Sequence, residues 1–325
     1  MQLSNIKVLL FSFLDLCRKT TLANQIIKPL KARHGYLISG KFDDGRSPDL
    51  VIFSAINLFF GTLLEREAEE VKSRLRTRIT DVVGEYGVDV LTKSIPNLGR
   101  LVGNDYVSVD LLAVSQQQLL HRCKYLVVKL IDAIADKTSP VVLLFDDLQW
   151  ADATSLDLFQ MIASHPDIRY CLCVGCYRDD DCVLAQKVTD VLDSIKNQVS
   201  VMAINLGNLG KESVNVMISE IFCIPPSLTT QLSSIVLFKT AGAPIYILNF
   251  LRTLCEEGQI HFALTARRWE YQIEGIRKKE LPTGVVQYMR LQMLKLPHSQ
   301  RLVLKVAACL GHRFDFRTFQ VRTTS

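Results

Sequence analysis

The chain has 325 residues, of which 48% are hydrophobic and 22% charged, a balance that permits a sizeable buried core and argues against disorder. Its net charge of +5, from 38 basic and 33 acidic residues, is too small and too dispersed to argue by itself for a nucleic-acid partner. The nine cysteines are odd in number, irregularly spaced and partly inside apolar runs, which points to reduced thiols in a cytoplasmic protein and excludes a disulfide framework. Length alone allows about two domains of roughly 100–200 residues.

The first apolar run, Val8 to Leu14, follows a single Lys7 and meets Asp15 with no small-residue cleavage site. It therefore reads as a buried strand at residues 7–12 and not as a signal peptide. A helix is expected over 20–33 and a second strand over 36–39. Gly40-Lys41 has neither the preceding glycine nor the following Ser/Thr of a phosphate loop, so it closes that strand. Residues 48–76 read as one helix. Their most apolar part, Leu50 to Leu64, contains Ser54, Asn57 and Gly61 and is too short to span a bilayer. Further on, helix is expected at 116–135, strand at 141–145, helix at 153–164, and strands at 170–176 and 201–206. Cys171, Cys173 and Cys176 are close enough to suggest a metal site, but all fall in the fourth of these strands with no second Cys pair nearby, and the nearest histidine, His165, is off any familiar ligand spacing. Strands alternating with helices imply a parallel sheet covered on both faces.

After Leu206 the pattern turns helical. Val214, Met217, Ile218 and Ile221 share one helix face. A later helix begins at Pro244 and stops at Gly258, with Ile247, Phe250, Leu251 and Leu254 in phase. A hairpin is expected near 261–264 and 268–272, then helices at 284–295 and 299–310. Phe314, Phe316 and Phe319 have little sequence left to pack against, so the natural polypeptide is expected to continue.

Val141-Val-Leu-Leu-Phe-Asp-Asp-Leu-Gln-Trp-Ala-Asp152 is the stretch richest in chemistry. A short apolar run without polar alternation fits a strand buried on both faces. Ligands of open α/β sheets sit beyond the carboxyl ends of such strands. Asp146 and Asp147 would stand there with the oxygen ligands that a hydrated Mg2+ needs, as in the Walker B element of a P-loop nucleotide hydrolase. The competing reading makes both of them turn or capping residues, with Asp152 the natural N-cap of the next helix. The matching Walker A segment is Phe13-Leu-Asp-Leu-Cys-Arg-Lys-Thr20. Lys19 supplies a cation for the β- and γ-phosphates, Thr20 a hydroxyl for Mg2+, and Thr21 opens a helix whose N-terminus could face an anion. Phe13 and Arg18, however, replace the two glycines that let backbone wrap a phosphate, and Asp15 adds a negative charge. Either the loop is degenerate, or the contiguous block Phe13–Arg18 is mis-specified by a frame or splice error.

Together, VVLLFDDLQWADATSLDLF, YRDD, ISGKFDD, KTTLANQIIKPL, AGAP and KVAACLGHRFD resemble the ATPase module of large signalling proteins, the STAND-type, AAA-related (Orc1-like) P-loop ATPases, over about residues 8–320. The resemblance implies an α/β P-loop core over 1–207, a helical lid over 208–258, and a hairpin and incomplete winged-helix region over 259–325. It implies ATP and Mg2+ as cofactors, with Asp146 and Thr20 at the metal. Asp147 would polarise the attacking water. Lys19, Thr20 and Thr21 would hold phosphate, Arg178 would sense the γ-phosphate, and Pro244 would lie toward the adenine. Arg178 as a surface ion pair and Pro244 as simple helix initiation remain open beside these roles. The implied partners are nucleotide and the other domains or proteins of a signalling assembly, with no membrane. Two other readings stand beside this one. One is an inactive scaffold for protein contacts. The other is a DNA-associated ATPase using Arg267, Arg268, Arg277, Lys278 and Lys279.

Overall fold

The computed structural model describes residues 7–13, 24–43, 51–103, 116–178, 182–265, 267–279, 290, 293–294 and 296–310. The chain divides into two compact units, residues 1–208 and 209–325.

The first unit holds a five-stranded sheet. Its strands are β1 (Val8–Phe13), β2 (Tyr36–Lys41), β3 (Val141–Asp146), β4 (Cys171–Arg178) and β5 (Val201–Leu206), in the order β2-β3-β4-β1-β5. Every pairing is parallel, so all five strands end at one edge. All six residues of β3 are buried, and the reason is visible in their alternation. Val141, Leu143 and Phe145 join a large cluster that includes Phe42, Ile56, Phe60, Ile131 and Phe159. Val142 and Leu144 point the other way, into a smaller cluster with Phe11, Leu30, Val174 and Cys176. Two-sided burial removes the polar half of the usual period-two pattern.

Helices interleave with these strands. In chain order they are α1 (Ile27–Lys31), α2 (Val51–Arg66), α3 (Glu69–Val83), α4 (Glu85–Thr92), α5 (Pro96–Val102), α6 (Gln116–Ile134), α7 (Ala153–Ser164) and α8 (Cys182–Lys196). The single helix expected over 48–76 is two. Ala68 is extended at φ −68°, ψ 155° and serves as the N-cap of α3, with Glu69 and Glu70 in the first turn where the helix dipole favours acids. α4, α5 and α8 were not anticipated. The Asp152 carboxylate accepts hydrogen bonds from Thr154 N (3.0 Å) and Ser155 N (3.2 Å), so it is the N-cap of α7.

The second unit contains α9 (Lys211–Phe222), α10 (Pro226–Thr240), α11 (Pro244–Glu256), the antiparallel hairpin β6 (Ile260–Ala263) and β7 (Arg268–Tyr271), α12 (Ile273–Lys278) and α13 (His298–Leu310). Its own core joins Val214, Ile218, Leu232, Val236, Ile247, Phe250, Leu254 and Ile276. No single helix among the described residues is long and apolar enough to cross a membrane. Most of the helix expected at 284–295, and all of 311–325, lie outside the described residues.

Candidate functional site

The parallel register builds the site. Lys41, the last residue of β2, pairs with Asp146, the last of β3. Phe13, the last residue of β1, pairs with Arg178 at the end of β4. One sheet edge thus gathers Lys41, Asp146, Asp147 and Arg178, next to the strand end from which the candidate phosphate loop departs.

Asp147 turns the chain out of β3 in the left-handed region, at φ 57° and ψ 46°. Asp tolerates that conformation better than most residues with a side chain. Its backbone N–H donates to Asp146 Oδ1 (3.0 Å), and its carbonyl accepts from Trp150 N (3.0 Å). The short 3-10 turn Leu148–Trp150 follows. Leu148 seats on β4 because residue 175 is glycine: a Cβ there would lie 2.6 Å from Leu148 Cδ1 and 3.1 Å from Leu10 Cδ2. Gly175 therefore fixes how closely the turn lies over the sheet.

Both carboxylates are nearly buried, each residue 8% exposed. Asp147 sits among cations. Its Oδ2 is 3.4 Å from Lys41 Nζ, and its Oδ1 is 4.0 Å from Arg178 Nε. Gln149 Nε2 also donates to Asp147 Oδ1 (3.0 Å), while Gln149 Oε1 accepts from Arg178 N (3.1 Å). Arg178 Nε is buried and has no hydrogen-bond partner among the described residues. A buried, unsatisfied guanidinium N–H is costly and suits an anionic oxygen. A buried carboxylate at Asp146 suits a hard cation that takes oxygen ligands. The donor set thus fits a metal-phosphate ligand.

The structure brings together Asp146, Asp147 and Arg178 of the residues singled out from the sequence. Lys19, Thr20, Thr21 and Arg18 lie outside the described residues. Pro244 is in the second unit, in the first turn of α11, after Ala243 as N-cap. Gly242 before it has φ +78°. Two site residues escaped the sequence reading. Gln149 lies within the motif but carried no distinguishing signal beyond being polar between Leu148 and Trp150. Lys41 acquires its place only through the β2–β3 register.

Cys171 and Cys173 are buried core thiols. Their mutual hydrogen bond, followed by burial, pushes the Cys171 thiol well above the ordinary cysteine range. Among the described residues no group of three His, Cys, Asp or Glu side chains could hold a metal. A cavity of about 470 Å3 in this unit is bordered by Lys31, His34, Tyr36, Arg74 and Ser139, and by none of the four charged residues above.

Residues 19–174 match the family model of the AAA ATPase domain. These residues are an AAA-type ATPase domain. The matched span opens at Lys19, just past the block Phe13–Arg18, and takes in β2, β3 and the acidic pair. Domains of this family typically take nucleotide with Mg2+. The chain is also 25% identical over 361 aligned positions to hybrid signal transduction histidine kinase G of Dictyostelium discoideum. That alignment covers 91% of this chain and 10% of the kinase, so the chain spans about a tenth of that relative's length. The Aeropyrum pernix ORC2 protein in its ADPNP-ADP complexes superposes over 98% of this chain and 73% of its own, at TM-score 0.43 and 12% identity. Its ADP form gives 0.39 and 13% over the same shares.

Proposed function

We propose that the chain is the ATP-binding regulatory module of a signalling protein of the STAND kind, working in the cytoplasm and capable of slow ATP hydrolysis. The observation that carries the reading is the meeting of Asp146 and Asp147 with Lys41 and Arg178 at one sheet edge, within an AAA-type ATPase domain. The histidine kinase relative supports the signalling context.

In this reading Asp146 and Thr20 hold Mg2+, which when bound offsets phosphate charge and orients the oxygens. Asp147 accepts hydrogen-bond character from the attacking water and polarises it. Arg178 offers its unsatisfied Nε to developing negative charge on the phosphoryl oxygens. Lys19 contributes a second cation, and Thr21 joins it in holding phosphate. The adenine-side role of Pro244 rests on the Gly242-Ala-Pro motif alone. Residues 208–258 take the part of a lid, and 259–325 that of a hairpin with the beginning of a winged helix.

A non-enzymatic scaffold is the second reading, and Phe13 and Arg18 favour it, because a Cβ at each position opposes close backbone approach to phosphate. Thermal unfolding with saturating Mg-ATP separates the two. A ligand at 100 times its dissociation constant adds about 2.7 kcal/mol, which for a unit of this size raises the melting temperature by about 5–10 °C. The absence of any shift supports the scaffold. Restoring glycine with Phe13→Gly and Arg18→Gly is expected to enlarge the shift. Where hydrolysis is measurable, Asp147→Asn should slow it about 100-fold or more while the thermal shift persists. Unchanged turnover in that variant removes the role given to Asp147.

A further inference from the structure

We infer that Gln149 is a positioning residue for the Asp147 carboxylate, and that it ties Asp147 to Arg178 across the ends of β3 and β4. The inference rests on the hydrolytic reading above.

Gln149 is 5% exposed, and both ends of its amide are engaged. The amide orientation is settled by its partners. Nε2 faces a carboxylate oxygen that can only accept, and Oε1 faces a backbone N–H that can only donate. Reversing the amide would set two acceptors together at one end and two donors at the other. Asp147 Oδ1 is therefore held on the Gln149 side, and Oδ2 is left toward Lys41.

The backbone around Gln149 is fixed independently of this contact. Leu148 before it is buried against Gly175, and Trp150 after it donates to the Asp147 carbonyl. The side chain thus starts from a rigid turn and reaches one group just past the end of β3 and another at the end of β4. A carboxylate that must polarise water works only in a narrow range of orientations, and one directional hydrogen bond to a single oxygen restricts its rotation. A purely structural role would need only the Arg178 N contact, which pins β4 to the turn. The second bond, to Asp147, is what distinguishes positioning from packing.

The bond to Asp147 can be removed with or without the bond to Arg178. Gln149→Glu keeps an acceptor for Arg178 N but loses the donor to Asp147 and sets a like charge beside it. Gln149→Met keeps the volume and loses both bonds. ATP turnover of the full chain and of both variants is measured, with Mg-ATP-induced thermal stabilisation as the check on folding and binding. Positioning predicts that kcat falls about tenfold or more in both variants, that KM for ATP stays within about twofold, and that Glu is no better than Met. If Gln149→Met fails to fold, Gln149→Glu alone decides. Turnover of Gln149→Glu within twofold of the unaltered chain overturns the inference while leaving the hydrolytic reading intact. If the unaltered chain shows no turnover, the hydrolytic reading falls, and the positioning role falls with it.

Discussion

Replacing Gly242 by alanine tests a junction in the second unit whose cost can be worked out from the backbone. Gly242 has φ +78°, where an L side chain is strained by about 1–2 kcal/mol. A Cβ there would also stand 2.2 Å from the carbonyl oxygen of Leu209 and 3.2 Å from its C and N atoms. These are backbone atoms, so no side-chain rotation relieves the contact. The two segments must part, which weakens the Leu209 N–H to Gly242 carbonyl bond of 2.9 Å, worth about 1 kcal/mol, and adds overpacking of about 1–3 kcal/mol. Alanine returns about 0.4–1 kcal/mol by restricting the unfolded chain, which leaves a net loss of about 2–5 kcal/mol. Urea unfolding followed by Trp269 fluorescence in a Trp150→Phe background reports on this unit. Trp269 packs there against Phe222 and Phe262, and the chain has only these two tryptophans. With a slope of about 2 kcal/mol per molar urea, the midpoint should fall by about 1–2.5 M. Gly258→Ala is the control, because Gly258 also has positive φ (+70°) but nothing within 4 Å of an added Cβ. Equal losses in the two variants would refute the close-approach argument.

Two further outcomes concern the first unit. Asp152→Ala removes the acceptor for Thr154 N and Ser155 N, and should cost about 1 kcal/mol in urea unfolding, with Asp152→Asn recovering most of it. Partial burial works to raise the Asp136 carboxyl, but hydrogen bonds from Thr138 and Ser139, with the charge of Arg78, bring it below its ordinary 3.8. A carboxyl depressed on folding stabilises above its unfolded value and loses that contribution as pH falls through the lower folded value. The stability of this unit should therefore drop as pH falls below about 3.8, and Asp136→Asn should flatten that acid limb in pH-dependent melting.

What could be read from the sequence follows from how local each cause is. β3 was legible because burial on both faces writes a continuous apolar run, and the abrupt Asp146–Asp147 end marked the edge where ligands gather. α4 was not, because Gly87 and the weak helix formers Val88, Asp89, Val90 and Thr92 outnumber Glu85 and Leu91 in it. The glycine is there for packing, since a Cβ would lie 2.8 Å from Leu126 Cδ2. The break between α2 and α3 has no glycine or proline to announce it. Gln149 and Lys41 were silent for another reason. Their partners are assigned by strand register and by the seat that Gly175 gives Leu148, neither of which leaves a trace in nearby residues. Lys19, Thr20 and Thr21 keep the standing of motif residues.

The two-sided burial of β3 has a consequence for exchange and cooperativity. Val141, Leu143 and Phe145 belong to one hydrophobic cluster and Val142 and Leu144 to the other, so neither layer can open without stripping the same strand. The backbone amides of β3 should exchange with solvent only through disruption of the whole sheet, at the slow end of the unit's range. Asp146 and Asp147 are attached to that strand. The charged edge therefore inherits its placement from a strand that melts only with its ladder partners β2 and β4, which carry Lys41 and Arg178.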